Sequence, residues 1–195
     1  MRSNLIKGGI HPMQNILLIV GSPASGKSTV SRAIAERSTK GVHIPVDDLR
    51  TMVQGGIIHP GPNWTPELIH QLKLARQTAT DMALRYREAD FLVVVDDFWD
   101  PFSQLQEYIT LINKPNVLPI ILKPALSIVL ARNHARKPPS EFRDHMDDGI
   151  KMVYGDLDKQ EATLRSKGWL IFDTSNDTIE ASVAQILKLL ETSIS

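Results

Sequence analysis

The sequence predicts an α/β protein in which a five-stranded parallel sheet is flanked by helices on both faces. Three features support this fold class. Five short apolar runs have the length and continuity of strands that are buried on both faces. Helical patterns separate these runs, and such alternation is typical of a doubly wound sheet with right-handed crossovers. The chain has 195 residues, 42% of them hydrophobic, which suits one domain with a single core.

Each predicted strand is a mostly apolar run that ends at polar or turn-forming residues. The five runs are residues 15–20, 42–46, 91–96, 117–122 and 169–173. Between and after them, apolar residues recur every three or four positions, as they do along one face of a helix. Thr65 is predicted to cap the longest of these segments, with Pro66 in the first helical position. The predicted helices are residues 28–37, 65–87, 102–113, 125–136, 140–167 (as one helix or two) and a last one that begins at Asp177.

Composition and charge narrow the function classes. Lys plus Arg and Asp plus Glu number 22 each, so the formal net charge is zero, whereas proteins that bind long nucleic acids are usually basic. The chain contains no cysteine, which excludes disulfides and cysteine-ligated zinc and fits a reducing compartment, so we expect a cytoplasmic protein. The longest early apolar run, residues 16–20, is too short to span a membrane. Residues 1–14 show no periodicity and are predicted to be a loose extension before a single domain of residues 15–195.

Residues 21–29 have the sequence of a phosphate-binding loop. They read GSPASGKST and match G-x-x-x-x-G-K-[ST], directly after a predicted strand and at the start of a predicted helix. Glycines let the backbone curl around an anion, and the N–H groups of the loop point at it from the positive end of the helix. Lys27 is expected to reach the β- and γ-phosphates, and Ser28 to coordinate Mg²⁺. The predicted nucleotide-binding residues of the loop are Gly21, Ser22, Pro23, Ala24, Ser25, Gly26, Lys27, Ser28 and Thr29.

Acidic pairs follow the second and third predicted strands, at the edge where ligands bind in an open α/β sheet. Asp47 is predicted to accept the proton of a substrate hydroxyl or to orient that hydroxyl, and Asp48 is the alternative carboxylate. Either can instead cap the next helix. Asp96 is predicted to hold Mg²⁺ together with Ser28, because it directly ends an apolar run.

The same edge of the sheet supplies the predicted substrate contacts. Arg50 can hold an acceptor group or a phosphate, and Asp97 and Trp99 are predicted to line the acceptor pocket. Residues 55–64 form a Gly/Pro-rich loop that ends at Trp64 and is long enough to fold over a substrate, although a plain surface connection is the alternative. The predicted substrate-binding residues are Asp47, Arg50, Trp64, Asp97 and Trp99.

Two arginines and a polar turn complete the predicted site. Arg132 and Arg136 are spaced i, i+4, so they share one helix face, just before a Pro-Pro break. They are predicted to close over the transferring phosphate as part of a small helical lid around residues 132–145; a solvated basic face is the alternative. Ser175 and Asn176 follow the last predicted strand and are predicted to contact the base of the nucleotide.

Other signatures narrow the class of nucleotide-binding protein. A GTPase carries N-K-x-D for guanine recognition, and the nearest string, NKPN at residues 113–116, lacks the aspartate. Transport-type ATPases and ring motors have longer chains and further signatures that this sequence does not contain. A compact kinase is the class that remains.

Five strings along the chain resemble those of small bacterial P-loop kinases. In order they are GSPASGKST, VDDLR, VVVDD, LARNHAR and FDTSNDTIE. This group includes the gluconate kinase-like proteins, chloramphenicol phosphotransferase and, more distantly, the zeta-toxin-type kinases. The resemblance implies that Asp47 is the base and that Arg132 and Arg136 are lid arginines. The string HPGPNW at residues 59–64 differs from the longer charged string that precedes the tryptophan in true gluconate kinases, so the resemblance is to their relatives.

The predicted fold is therefore a P-loop NTPase three-layer sandwich with the strand order 2-3-1-4-5 and a small helical lid. The predicted activity is transfer of the γ-phosphoryl group of ATP, with Mg²⁺, to a hydroxyl of a small molecule such as a sugar, a sugar acid or an antibiotic-like compound. Two alternatives stay open: a nucleotide or polynucleotide 5′-hydroxyl kinase, and a regulatory NTP-binding protein without a phosphoryl acceptor. We expect a monomer or homodimer without membrane or nucleic-acid partners.

Overall fold

Five parallel strands form the central sheet in the order β2-β3-β1-β4-β5, which confirms the predicted fold class and strand order. The computed structural model describes residues 15–61, 63–135 and 140–192. The predicted loose extension, residues 1–14, lies outside the described residues. The strands are β1 (Ile16–Gly21), β2 (Gly41–Pro45), β3 (Leu92–Phe98), β4 (Val117–Leu122) and β5 (Leu170–Phe172).

Helices cover both faces of the sheet. The N-cap of the longest predicted segment is confirmed, because Thr65 Oγ1 accepts the Leu68 N–H at 3.2 Å. Among the described residues, no helix combines the length and the apolar character that a membrane span needs. The helices are α1 (Lys27–Arg37), α2 (Val46–Thr51), α3 (Pro66–Glu88), α4 (Ile109–Ile112), α5 (Leu126–Ala135), α6 (Ser140–Ser166) and α7 (Ile179–Thr192), with a 3₁₀ turn at Gln106–Tyr108 before α4.

The two faces of the sheet carry separate hydrophobic cores, because successive side chains of a strand point to opposite faces. The odd-numbered apolar residues of β3 belong to the core that packs under α3 and α6. The even-numbered ones belong to the core that packs under α1 and α7. The same alternation directs Asp96 to the α1 face and Asp97 to the α3 face.

The structure corrects the helix predicted at residues 102–113. Asp100 Oδ1 accepts the backbone N–H groups of Phe102 and Ser103, at 2.9 and 3.3 Å, and so forms a turn that competes with a helix. Gln104 and Leu105 then adopt left-handed conformations, with φ of 48° and 57°. Only the 3₁₀ turn and the short α4 follow. The hydrogen bonds of Asp100 do not change the spacing of the apolar residues, and that spacing alone predicted a longer helix.

One helix start differs from the prediction, and one helix was not predicted. Helix α7 begins at Ile179, and Thr178 Oγ1 accepts the Ala181 N–H at 3.2 Å, so Thr178 caps this helix in place of Asp177. The sequence did not predict α2. This helix places Asp47 and Asp48 in its first turn, where carboxylates are favoured by the positive end of the helix.

Candidate active site

The predicted phosphate loop joins β1 to α1 and folds as a tight turn. Gly26 has a φ of 94°, a left-handed conformation that favours glycine, and the Ser25 N–H bonds to the Ser22 carbonyl at 3.2 Å. A Cβ at Gly21 would lie only 2.6 Å from the carbonyl oxygen of Leu122 on β4. The two glycines therefore allow the narrow backbone curve that an anion-binding loop needs.

Lys27 begins α1 with its side chain buried, at 8% exposure. Among the residues that the structure describes, no ion pair or hydrogen bond engages its ammonium group. Ser25 Oγ, in the same loop, is also buried without a hydrogen-bond partner in that part of the chain. A buried cation and a buried hydroxyl, next to the N–H groups of a helix N-terminus, fit the phosphates of a nucleotide.

Ser28 and Asp96 meet at this end of the sheet. Ser28 Oγ donates to Asp96 Oδ1 at 2.9 Å, although the two residues are 68 positions apart. The carboxylate is buried, with Asp96 4% exposed. A hydroxyl and a carboxylate are hard oxygen ligands of the kind that Mg²⁺ takes beside phosphates. The residues present therefore fit the predicted metal site.

His43 is a member of this site that the sequence analysis did not find. On β2, the strand next to β3, its Nε2 donates a short hydrogen bond to the second oxygen of the carboxylate, Asp96 Oδ2. This contact orients the carboxylate so that Oδ1 faces Ser28. The sequence signal for it was a histidine inside an otherwise apolar strand. In the structure its side chain is 11% exposed.

Asp47 and Arg50 lie on α2, directly after β2, and form an ion pair. Arg50 Nη1 donates to Asp47 Oδ1 at 2.9 Å. The arginine side chain is 8% exposed, whereas that of Asp47 is 61% exposed. A buried guanidinium thus holds an accessible carboxylate in place. Asp48, in the same turn of the helix, is exposed as well.

The structure corrects the predicted substrate-binding roles of Asp97 and Trp99. Both are 1% exposed, and neither is among the residues that line the cavity beside Trp64. Trp99 Nε1 donates to Asp156 Oδ2 at 2.8 Å, and its ring packs edge-on against Trp169. Strand alternation turns Asp97 toward α3, where it pairs with Arg76. Both residues stabilise the interior.

Arg76 is the centre of a buried ionic cluster that the sequence analysis missed. Its Nε lies 2.8 Å from Asp97, and its Nη1 lies 2.9 Å from Asp100 and 3.3 Å from Glu107. The Tyr108 hydroxyl also donates to Asp97, at 3.1 Å. Burial raises the pKa of the Asp97 carboxyl, and the charge of Arg76 opposes that rise. We call Arg76, Asp97, Asp100 and Glu107 the Arg76 cluster.

A cavity of about 120 Å³ lies beside the Arg76 cluster. Its walls are mostly apolar and include Trp64, Leu72 and Phe102, and members of the cluster form its polar floor. The Trp64 ring packs against Phe102, with centroids 4.5 Å apart, and against Phe98 at the end of β3, with centroids 6.5 Å apart. The structure therefore places Trp64 at a pocket near the carboxyl edge of the sheet.

Arg132 of α5 reaches the phosphate loop. Its Nη1 lies 3.5 Å from the carbonyl oxygen of Ser25 and 3.8 Å from the point that a Cβ on Gly26 would occupy. The second predicted lid arginine, Arg136, lies outside the described residues. Helix α5 is attached to α6 through Asn133, whose side-chain amide donates to Asp147 at 2.8 Å. Arg132 thus lies beside the phosphate loop, and its role as a lid arginine stays a prediction.

Ser175 and Asn176 lie in the turn between β5 and α7, at the same edge of the sheet as the phosphate loop. Ser175 Oγ accepts the N–H of Ala125 at 2.7 Å and also bonds to Asp173. Ser175 therefore ties this turn to the start of α5. Because its hydroxyl is engaged by the protein, the exposed side chain of Asn176 is the better placed of the two for a nucleotide contact.

Comparison with known proteins gives one family match. Residues 16–165 match the family described as AAA domain. The matched segment contains the phosphate loop, Asp47, Asp96 and Arg132, and it ends within α6. No match was found among proteins of curated function.

Solved structures share the fold at low sequence identity. The shikimate kinase of Acinetobacter baumannii, in complex with shikimate, has a TM-score of 0.63 at 14% identity, over 92% of this chain and 94% of that chain. A sugar kinase of a Janibacter species has a TM-score of 0.59 at 15% identity, over 91% and 94%. The thymidylate kinase of Candida albicans has a TM-score of 0.63 at 14% identity, over 92% and 92%. At such identities the similarity establishes the P-loop kinase fold and not the substrate.

Proposed function

This chain belongs to the AAA domain family and has the fold of P-loop kinases, and on that premise we propose that it transfers the γ-phosphoryl group of ATP to a hydroxyl of a small molecule. One observation carries the proposal. The phosphate loop, the contact between Ser28 and Asp96, and the exposed carboxylate of Asp47 lie at one edge of the sheet. A phosphoryl donor, its metal ion and an acceptor must meet at such a place.

The phosphate loop binds the donor. Its backbone N–H groups and Lys27 hold the phosphates, since Lys27 is buried and no described residue neutralises its charge. Ser28 and Asp96 would hold Mg²⁺, which supplies positive charge to the phosphates when it is bound. Arg132, next to Ser25 and Gly26, stabilises the charge on the moving phosphoryl group.

Asp47 positions the acceptor. Its carboxylate accepts the hydroxyl proton while the hydroxyl oxygen bonds to the γ-phosphorus, and the bond from that phosphorus to the β–γ bridging oxygen breaks. Arg50 keeps the carboxylate in place through the 2.9 Å hydrogen bond. Asp48 is the alternative base, because it is also exposed and lies in the same turn of α2.

Several features support a small acceptor over a nucleic acid. The formal net charge is zero, so the protein as a whole does not attract a polyanion. The cavity beside Trp64 encloses about 120 Å³, a size that fits part of a small molecule. The similar structures are described as shikimate, sugar and thymidylate kinases. The sequence resemblance to gluconate kinase-like proteins and chloramphenicol phosphotransferase supports acceptors of the same size.

An ADP-release screen tests the proposal. The protein, with ATP and Mg²⁺, is offered sugars, polyols, sugar acids, nucleosides, phenicol and aminoglycoside antibiotics, and 5′-hydroxyl oligonucleotides. We expect ADP release to depend on a small hydroxylated acceptor whose product carries one added phosphate by mass spectrometry. Transfer to oligonucleotides alone would instead identify a polynucleotide kinase. ADP release at the same rate with every compound would identify an NTP-binding protein without an acceptor.

Arg132→Ala is expected to lower kcat by about 10²-fold and to leave ADP affinity nearly unchanged, because a lid arginine stabilises charge that develops in the transition state. Steady-state kinetics and ADP calorimetry measure the two effects. Arg165→Ala is the matched control, since it removes an arginine that is 51% exposed on α6. Equally small effects of the two substitutions would show that Arg132 is a surface residue without a catalytic role.

A further inference from the structure

Arg76 has one nitrogen without a hydrogen-bond partner. Nε and Nη1 donate to carboxylates, but the buried Nη2 has no acceptor among the described residues. The Arg76 side chain is 0% exposed, and its Cζ lies 5.2 Å from the centroid of the Phe98 ring. Arg76 is also one of the residues that line the cavity. Because Nη2 is itself inaccessible to a water-sized group, Arg76 acts on a ligand in the cavity through its charge and not as a free hydrogen-bond donor.

The Arg76 cluster contains more negative than positive charge. One guanidinium faces the carboxylates of Asp97, Asp100 and Glu107. Even with the deeply buried Asp97 protonated, two carboxylates remain for one arginine. A carboxylate or phosphate of a ligand would therefore meet net repulsion at the cavity floor. A hydroxyl adds no negative charge and can donate a hydrogen bond to Glu107, whose side chain lines the cavity and is 12% exposed.

The rest of the cavity is apolar. Trp64 and Phe102 present aromatic rings, and Ile69 and Leu72 add aliphatic surface. Such walls suit the C–H face of a sugar-like ring or carbon chain. At roughly 30 Å³ for each water-sized group, about four such groups fill the cavity. It therefore accommodates one end of an acceptor.

The cavity lies next to the proposed reaction centre. Trp64 contacts Phe98, which pairs in the sheet with Gly21, the first residue of the phosphate loop. Asp47 lies in the first turn of α2, and α2 packs against α3, the helix that carries Arg76. An acceptor with one end in the cavity can therefore present a hydroxyl to Asp47.

We infer that this cavity is the acceptor subsite and that it takes an uncharged, hydroxylated group, such as one end of a neutral sugar or polyol, and disfavours carboxylates and phosphates. The inference rests on the proposed function and narrows it. Neutral acceptors are the substrates, and sugar acids and nucleotides are not.

Matched pairs of acceptors test this inference. The pairs are glucose and gluconate, glycerol and glycerate, adenosine and AMP, and any further acceptor found in the screen with its carboxylated or phosphorylated derivative. We expect kcat/KM to favour the neutral member by at least about tenfold. Higher kcat/KM for the anionic members would overturn the inference and leave the proposed function standing. ADP release that depends on no acceptor would remove both.

Glu107→Gln tests the role of charge. It removes one carboxylate from the cavity floor and keeps the side-chain shape. The ratio of kcat/KM for the neutral acceptor to kcat/KM for its anionic partner should therefore fall by about tenfold. Glu67→Gln makes the same charge change at an exposed position of α3 and should leave the preference unchanged. An unchanged preference in a folded Glu107→Gln protein, judged by circular dichroism, would overturn the charge argument.

Phe102→Ala tests the cavity without altering the Arg76 cluster. Phe102 is 59% exposed, so the loss of its ring should leave folding intact. We expect the KM for a neutral acceptor to rise about tenfold with kcat and the KM for ATP unchanged, because the ring contacts the non-reacting end of the acceptor. Acceptor calorimetry in the presence of ADP gives the same comparison without turnover. Unchanged KM and affinity would show that the acceptor binds elsewhere.

Discussion

Lys27→Ala is expected to reduce phosphoryl transfer by at least about 10³-fold and to weaken ATP binding. Lys27 is 8% exposed, and among the described residues no carboxylate neutralises it, so its full charge is available to the phosphates. Alanine removes that charge from a site where low exposure to water strengthens electrostatic interactions. Steady-state kinetics and ATP calorimetry measure the two losses.

The matched control for this substitution is Lys151→Ala. Lys151 lies on α6, and its side chain is 57% exposed. The control protein should keep full activity and ATP affinity. If Lys27→Ala protein also kept both, residues 21–29 would not be the nucleotide site. Melting temperatures of the two variants show whether either loss comes from unfolding.

Asp47→Asn is expected to lower kcat by about 10²-fold or more while ATP affinity stays nearly intact. Asparagine keeps the size of the side chain and an oxygen for the hydrogen bond from Arg50, but it cannot accept the hydroxyl proton. Since Asp47 is 61% exposed, its replacement removes no core contact, and the fold should be unaffected. Kinetics with a saturating acceptor and ATP calorimetry separate the two effects.

Asp48→Asn is the matched control for that experiment. Asp48 is the next residue in the first turn of α2 and is also exposed, so the two variants differ in position and not in chemistry. We expect a small change in kcat. A larger loss in Asp48→Asn than in Asp47→Asn would identify Asp48 as the base and would leave the proposed reaction unchanged.

The phosphate loop and the sheet were predictable because they depend on local signals. The loop needs certain residue types at fixed spacing, and buried strands are continuous apolar runs. Strand ends differ by one or two residues from the prediction; β3, for example, continues to Phe98. The strand order followed from the fold class, and the structure has the same order.

Contacts across the sheet were harder to predict because they depend on the direction of each side chain. Asp96 and Asp97 are neighbours in sequence, yet one meets Ser28 and the other meets Arg76. The sequence contained one signal for the second contact. Arg76 follows Leu72 by four residues, so it lies on the apolar face of α3, where a charge needs a partner. Only the tertiary structure shows which carboxylates provide it.

The Arg76 cluster also determines which parts of the protein are able to move against each other. The Arg76 guanidinium joins α3 to the end of β3, to the loop that follows β3 and to the 3₁₀ turn. Removing one partner of such a buried ion pair lowers the free energy of unfolding by about 3–5 kcal/mol. Helix α3 and strand β3 therefore move as one rigid body. Residues 52–61 are attached to α3 through Gln71, whose side chain accepts the Ile58 N–H at 3.0 Å and donates to the Gly56 carbonyl at 2.8 Å. A movement of this loop relative to α3 would therefore have to break the two hydrogen bonds of Gln71, while the Arg76 cluster stays a fixed base beneath it.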